Sequence, residues 1–326
     1  MKLKQKINPL TFLKEWAAVI ALVFLLLFFS ISMPQTFPTS SNFVSIMRSI
    51  SITATLACSM TIITAVGGFD MADGHLATVS GFILMSMVIW YGLPLGVSIL
   101  ICILSTMLLN CITMFLIIRC KIPDLLATCA MMFFLEGLGL TYTGGGAISA
   151  GMPLPNGTPS KGSIPASLKT IGNSPTIIII MLVCVVIVHI LLNYTKYGRF
   201  IYAVGGNREA ARLSGIPVRW YRFGAGMVSA VFIAIAGVLV CARNQSAQMA
   251  GATSYSMPSM AAVYIGRSVA GQEKPNALGT LIGAALVGVL DNGLIMMSVP
   301  YYSLNTVKGA VLALALAVAY YQKHQD

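Results

Sequence analysis

Long apolar stretches separated by short polar segments follow one another along the chain. Each stretch has about the length that an α-helix needs to cross the roughly 30 Å hydrocarbon core of a bilayer. The third and eighth stretches are short and rich in Gly or Ser, which is typical of broken or partly re-entrant helices and leaves nine spans as the alternative count. The pattern predicts about ten membrane spans: roughly 16–33, 44–66, 75–91, 94–118, 123–141, 174–194, 222–242, 256–270, 277–297 and 304–321.

Composition agrees with a membrane protein. Hydrophobic residues make up 57% of the 326 residues and charged residues only 9%, whereas soluble domains carry about 25% charged residues. A folded protein with so few charges on its surface would not be soluble in water. Most of the surface must therefore face lipid. We expect one all-α, polytopic domain over residues 1–326. The seven cysteines include no C-x-x-C pair and most lie in apolar stretches, so we expect no disulfide framework and no metal site.

The basic residues predict the orientation. If the N-terminus is cytoplasmic and the spans alternate, the outer segments hold only Lys161, Lys169 and Arg243. This asymmetry fits the positive-inside rule and predicts cytoplasmic termini. It also explains the net charge of +11 through contact with anionic lipid, so nucleic acid is not an expected partner. The inner segments hold Lys2, Lys4, Lys6, Lys14, Arg119, Lys121, Lys196, Arg199, Arg208, Arg212, Arg219, Arg222, Lys274 and Lys323.

Two predicted loops are long. The outer loop, about 142–173, is rich in Gly, Pro and Ser and is either a water-exposed connector or a docking surface for an external partner. The inner loop, about 195–221, contains Gly205-Gly206-Asn207 followed by a short helical segment. Asn207 is a good N-cap for that helix, and Gly215 is a good stop signal. A short capped helix at this face suits docking onto a soluble partner; an ordinary connector is the alternative.

Within the inner loop, Glu209-Ala210-Ala211-x-x-x-Gly215 resembles the EAA-x-x-x-G loop of ABC importer permeases. The surrounding string resembles the ribose/allose branch of the monosaccharide permeases. One stretch of that branch, the G-G-I-D-L-S-V-G signature, corresponds to Gly67 to Gly74 here. In this chain Ala72-Asp73 replaces the Ser-Val of the signature, and His75 follows it where a small residue is common. A further departure is Gly266-Arg267 in place of a Gly pair. Three further stretches resemble the same branch: Gly67 to Gly74, Ile122 to Thr128 with Thr141 to Gly145, and Lys274 to Gly283 with Asp291 to Tyr302.

The resemblance implies a channel-forming permease subunit of a bacterial ABC importer for a monosaccharide. It implies a separate ATPase subunit that binds ATP and Mg and seats on the 207–215 segment, a periplasmic or lipid-anchored sugar-binding protein, and a second permease copy, identical or related. This chain would then hold no cofactor and would not be an enzyme. Ribose and allose are the nearest substrates, with other pentoses, hexoses and a furanosyl signalling molecule left open.

The first of the resembling stretches also carries candidate pathway residues: Gly67, Gly68, Asp70, Asp73 and Gly74. Glycines permit unwound backbone, which is tolerated at membrane depth only where it lines a cavity or packs within protein. Aspartates are costly there and usually face a bundle interior or water. We therefore expect a gate or pathway element near the bundle axis. The alternative is a cytoplasmic turn with solvated aspartates.

Four further ionisable residues, Glu136, Arg267, Asp291 and Lys308, lie in or near predicted spans. Pairing of opposite charges inside the bundle would lower the free-energy cost of burying these residues in the membrane. The alternative is that they line the pathway. A rival function is a secondary transporter with Asp70, Glu136 and Asp291 as proton or cation sites. The chain has no G-x-x-x-x-G-K-[ST] phosphate loop, so any ATP hydrolysis requires another subunit. An intramembrane enzyme would need a catalytic cluster that the sequence does not offer.

Overall fold

The computed structural model describes residues 9–267, 269, 274–300, 302–304 and 306–310. These residues are mainly helical, with only two short strands among them, which confirms the all-α prediction. A π-helical turn, Ser86–Trp90, extends α3, and a 3₁₀ turn, Thr253–Tyr255, precedes α11. The elements are α1 (Pro9–Ser32), α2 (Ser40–Ala65), α3 (Asp73–Met85), α4 (Leu95–Ile118), α5 (Asp124–Thr143), β1 (Ile148–Ser149), α6 (Ala166–Gly172), α7 (Thr176–Tyr194), α8 (Lys196–Gly206), α9 (Arg208–Leu213), α10 (Val218–Asn244), β2 (Ser246–Ala247), α11 (Ser256–Gly266) and α12 (Ala277–Met296).

Within this described part of the chain, 7 helices are long and apolar enough to cross a membrane: α2, α3 with its π-helical turn, α4, α5, α7, α10 and α12. They confirm a polytopic helical membrane protein. Helix α1 matches the first predicted span. Helix α11 matches the eighth, but its 11 residues extend only about 16 Å, roughly half of the hydrocarbon core. Most of the tenth predicted span, 304–321, lies outside the described residues, so the count of ten stays a prediction.

Basic side chains collect at one end of the bundle, which we call the basic end. It comprises the C-terminal ends of α2, α4 and α7, the N-terminal ends of α5 and α10, and all of α8 and α9. The positive-inside rule assigns the basic end to the cytoplasm. Its basic residues are Arg119, Lys121, Lys196, Arg199, Arg208, Arg212, Arg219 and Arg222.

Helices α2, α3 and α10 form the interior of the bundle, while α4, α5 and α7 surround it. The outer helices keep wide apolar faces, with Leu108, Phe133 and Val183 among their exposed side chains. Such faces are expected against lipid tails, which are as apolar as leucine. Glycines allow the inner helices to approach closely: a methyl group at Gly237 of α10 would lie 2.4 Å from the Ala77 carbonyl oxygen of α3.

The α3–α10 contact also fixes how deep α3 begins. Gly237 lies against Ala77, and a methyl group at Gly81 would lie 2.6 Å from Cys241 Sγ, so the two helices run parallel. Four residues earlier, Asp73 at the start of α3 is level with residue 233 of α10. Residue 233 lies eleven residues beyond Arg222, which is about 16 Å along the helix axis. The segment 66–72 therefore rises from the basic end into the interior of the bundle.

The predicted outer loop, 142–173, folds back over the end opposite the basic end. Strand β1 pairs with β2 in antiparallel register, with Ile148 opposite Ala247. Helix α6 packs on α10 so closely that a methyl group at Gly172 would lie 2.1 Å from the Ala242 carbonyl oxygen. Arg48, in the first half of α2, donates a 2.9 Å hydrogen bond to the Gly172 carbonyl. The loop is thus tied to both α2 and α10.

Candidate functional site

Helix α9 at the basic end is built as the sequence predicts. The Ala210 amide donates a 3.0 Å hydrogen bond to Asn207 Oδ1, which caps the helix. Glu209 in the first turn accepts a 2.9 Å salt bridge from Arg212, and both side chains are exposed. An exposed pair of this kind adds little stability. The six-residue helix therefore depends on its caps and on its packing against neighbouring elements.

Gly215 ends α9 with a paired set of hydrogen bonds. Its φ is +79°, its amide donates to the Arg212 carbonyl at 3.0 Å, and the Ile216 amide donates to the Ala211 carbonyl at 3.0 Å. This is the Schellman arrangement, which favours glycine because the residue is left-handed. Ala211 is buried beneath the helix, and Leu213 beside it is 82% exposed. The motif thus fixes a rigid corner that presents an apolar side chain outward.

The α8–α9 corner rests on the end of α2. Gly67 is left-handed, with a φ of +74°, and a methyl group at Gly205 would lie 2.1 Å from the Ala65 carbonyl oxygen. Two backbones meet here with no room for side chains. The Arg208 guanidinium also donates to the Gly67 carbonyl. Any displacement of α9 must therefore act directly on the start of the 66–72 segment.

Asp124, the first residue of α5, joins the same corner. Both of its carboxylate oxygens accept 2.6 Å hydrogen bonds from Arg222 of α10, and Arg208 lies 3.9 Å away. A methyl group at Gly68 would lie 3.2 Å from this carboxylate. Burial, with a contribution from Arg222, lowers the pKa of Arg208. Sequence reasoning gave neither Asp124 nor Arg222 a site role; the available signal was an acidic residue after Pro123, at the start of a span.

Asp70 and Asp73 are buried, with 3% and 1% of their surfaces exposed. The alternative of solvated aspartates in a cytoplasmic turn is therefore wrong. Asp70 Oδ1 accepts the Ala72 amide at 2.8 Å. Asp73 Oδ1 accepts the Gly74 amide at 2.7 Å and the hydroxyl of Ser256. Asp73 Oδ2 is buried and has no hydrogen-bond partner among the described residues.

Asp73 and Ser256 mark a junction at which two short helices begin inside the bundle. A methyl group at Gly74 would lie 2.8 Å from Ser256 Cβ, and the Ala252 amide donates to Thr78 Oγ1 at 3.3 Å. Helices α3 and α11 thus start side by side, with their positive dipole ends close to one carboxylate. Sequence reasoning missed Ser256, because a serine at a span's start is too common a signal to identify its partner.

The basic-end corner also reaches the segment between α11 and α12. The Tyr202 hydroxyl of α8 donates a 2.6 Å hydrogen bond to the Pro275 carbonyl. Burial raises the pKa of Tyr202 to about 12, so this hydroxyl is protonated at physiological pH. The α8–α9 corner therefore contacts the start of the 66–72 segment and the residues just before α12, and the start of α12 packs against the end of α11 at Gly266 and Gly279.

Two of the four remaining predicted polar residues pair with each other. Asp291 of α12 and Lys308 form a salt bridge of 3.0 Å. The Arg267 guanidinium lies 5.8 Å from the centre of the Tyr264 ring. Glu136 is exposed on α5. In the described part of the chain, no group of three His, Cys, Asp or Glu side chains is arranged to hold a metal ion.

The chain is similar to known permeases over nearly its full length. The family model described as branched-chain amino acid transport system / permease component matches residues 42–318. The ribose import permease protein RbsC of Haemophilus influenzae is 32% identical over 94% of this chain and 93% of its own. The protein of the same name from Escherichia coli K12 is 30% identical, with 94% of each chain covered. The xylose transport system permease protein XylH of Escherichia coli K12 is 25% identical over 93% of this chain and 91% of its own. No solved structure matches the chain.

Proposed function

We infer that this chain, which belongs to the family of branched-chain amino acid transport system permease components, is the permease subunit of a sugar-importing ABC transporter in a bacterial inner membrane. The observation that carries this conclusion is the similarity to ribose import permeases over 94% of this chain. It favours an ABC importer over the ion-gradient transporter that buried carboxylates alone would allow. A ribose-like monosaccharide is the substrate that this similarity supports best.

We propose three partners for this subunit. A separate ATPase, which binds ATP and Mg, binds to the α8–α9 corner. Leu213 and Trp220 are 82% and 75% exposed there, beside several arginines. An external sugar-binding protein, periplasmic or lipid-anchored, delivers sugar to the opposite face, where residues 142–173 are folded against α2 and α10. A second permease copy, identical or related, completes the pathway. Residues 1–326 act as one membrane domain in this assembly.

The contacts at the α8–α9 corner support a mechanism of alternating access. ATP binding moves α9, and Arg208 transmits that movement to Gly67, near the start of the 66–72 segment. Tyr202 transmits the same movement to Pro275, beyond α11. The 66–72 segment and α11 meet at Asp73 and Ser256. Movement of Gly67 and Pro275 therefore changes this junction inside the bundle. Gly67, Gly68, Asp70, Asp73 and Gly74 then form a gate that extends from the basic end to this junction.

The decisive experiment reconstitutes the permease with its neighbouring ATPase and binding protein in proteoliposomes. We expect uptake of radiolabelled ribose to require ATP on the side of the membrane that the ATPase occupies, and to be unaffected when a proton ionophore collapses the pH gradient. Uptake that continues without ATP and stops with the ionophore would overturn the proposed function. A panel of pentoses and hexoses in the same assay identifies the sugar.

Two arginines of α9 provide a matched test of the coupling route. Arg208→Ala removes the hydrogen bond to the Gly67 carbonyl, whereas Arg212→Ala removes only an exposed pair with Glu209. We expect Arg208→Ala to lower the sugar moved per ATP hydrolysed by about fivefold, as expected for a lost charged hydrogen bond. Arg212→Ala should keep the normal ratio. Equal effects of the two substitutions on this ratio would exclude the proposed route through Gly67.

A further inference from the structure

Helix α5 carries a carboxylate on a face that is otherwise apolar. Glu136 lies about 18 Å along the helix from Asp124, well within the hydrocarbon depth. Its side chain is exposed, as are those of Phe133 and Leu140, and it has no ion pair among the described residues. A charged residue facing lipid at this depth costs several kcal/mol. This part of α5 therefore faces water or protein in the assembled transporter.

His75 of α3 lies beside the same part of α5. Two contacts fix the alignment of the helices: Cys129 Sγ is 3.6 Å from Met71 Sδ, and the Tyr142 hydroxyl donates to Ser86 Oγ at 2.7 Å. Residue numbers rise together on both helices, so they run parallel, and Glu136 lies about one turn, or 5 Å, above His75. Glu136 is also the charged group that acts electrostatically on the His75 ring.

The His75 ring has an unused hydrogen-bonding atom. Its Nδ1 is buried and has no partner in the part of the chain that the structure describes. Buried polar atoms without partners are uncommon and call for an explanation such as a missing ligand or water. An exposed carboxylate and an imidazole with one unpaired, buried nitrogen thus lie at neighbouring levels of two parallel helices.

We propose that Glu136 and His75 form a hydroxyl-binding site for the transported sugar, and that this side of α5 faces a water-filled pathway in the assembled transporter. A carboxylate accepts hydrogen bonds from two neighbouring hydroxyls, and an imidazole donates one and accepts another. A neutral polyhydroxylated ligand fits this pair, since it supplies several donors and acceptors and no charge. When sugar is absent, water occupies the same positions, so binding is weak and reversible. This assignment rests on the proposed sugar-import function and names the residues that hold the substrate within the membrane.

Transport and ATP hydrolysis, measured together in the reconstituted complex, test the site. Glu136→Leu should reduce uptake at saturating sugar by about tenfold, as expected for the loss of a charged hydrogen-bond acceptor. Glu136→Gln retains a carbonyl acceptor and should reduce uptake by only about threefold. ATP hydrolysis stimulated by the sugar-loaded binding protein should stay normal in both, because the site lies far from α9. Normal uptake by Glu136→Leu would overturn the assignment, while ATP-dependent uptake by the unmodified protein would leave the proposed function intact.

Thiol labelling tests the position of the site independently of turnover. Glu136→Cys and the control Leu108→Cys, on the lipid-facing side of α4, are prepared with Cys111, Cys120 and Cys129 replaced by Ser. A membrane-impermeant maleimide should label the thiol introduced at position 136, and millimolar sugar should slow that labelling. The thiol introduced at position 108 should react only with a lipid-soluble maleimide. If the two introduced thiols behave alike, or if sugar does not change the labelling at position 136, a substrate site at this position is contradicted.

Discussion

Gly205→Ala is expected to reduce ATP-driven uptake at least about tenfold, because overpacking of a tight contact costs on the order of 1–3 kcal/mol. The added methyl group would lie 2.1 Å from the Ala65 carbonyl oxygen and 3.0 Å from the Gly67 amide nitrogen. Neither backbone can yield without separating α8 from the end of α2. The corner that the ATPase is proposed to grip would then lose its direct contact with the 66–72 segment.

The neighbouring glycine supplies the control. Gly206 belongs to the same helix, and a methyl group there meets nothing within 4 Å. Gly206→Ala makes the same chemical change and brings a similar gain in helix propensity, so it should leave uptake within about twofold of normal. Both variants are compared for the amount in the membrane, elution as a single species in detergent, and uptake per ATP hydrolysed. Normal uptake by Gly205→Ala would show that the α8–α2 contact does not transmit movement.

The difference between these glycines illustrates what the sequence could predict. The apolar stretches predicted the spans well, because span length is set by bilayer thickness and each stretch can be read by itself. The cap at Asn207 and the stop at Gly215 are local signals of the same kind, which depend on a few adjacent residues. Gly205 and Gly206 are adjacent and alike in the sequence, and only the position of Ala65 distinguishes them.

Contacts between neighbouring helices of the chain were harder to predict. Most spans are apolar all round, so the helical periodicity does not show which face meets which neighbour. Asp124 and Arg222 are 98 residues apart in the chain, and nothing local to either one indicates the other. The same holds for Asp73 and Ser256, 183 residues apart. Sequence reasoning correctly marked Asp73 as costly in lipid, but that cost does not specify a partner.

The depth of α3 was also beyond the sequence. The short third stretch predicted a broken or partly re-entrant helix, but it did not predict where that helix starts. Helix α3 starts about 16 Å inside the bundle, measured along α10. The segment 66–72 links the end of α2 to this start through turns and bends, with no regular helix or strand. Its unwound backbone is tolerated because α5 and α8 pack against it. The break between α2 and α3 is therefore stable only because neighbouring elements supply hydrogen bonds to the unwound backbone and shield it from lipid.

Asp73→Ala is expected to cause the second large loss, with uptake abolished and the thermal stability of the permease in detergent lowered. The substitution leaves the Gly74 amide and the Ser256 hydroxyl without their shared acceptor in a site where Asp73 is only 1% exposed. Each buried polar group that loses its partner costs about 1–3 kcal/mol. It also removes the negative charge at which the positive ends of α3 and α11 meet.

Two further substitutions separate the hydrogen bond from the charge. Asp73→Asn keeps an acceptor oxygen but removes the charge, so we expect intermediate stability and uptake. Ser256→Ala removes only the hydroxyl, and its effect combined with Asp73→Ala should be much smaller than the sum of the two, as for residues in direct contact. Glu209→Ala, which removes an exposed carboxylate, serves as the control and should leave the melting temperature unchanged. Strictly additive effects at positions 73 and 256 would mean that α3 and α11 are not held together at this junction. The gate would then have to lie elsewhere in the bundle.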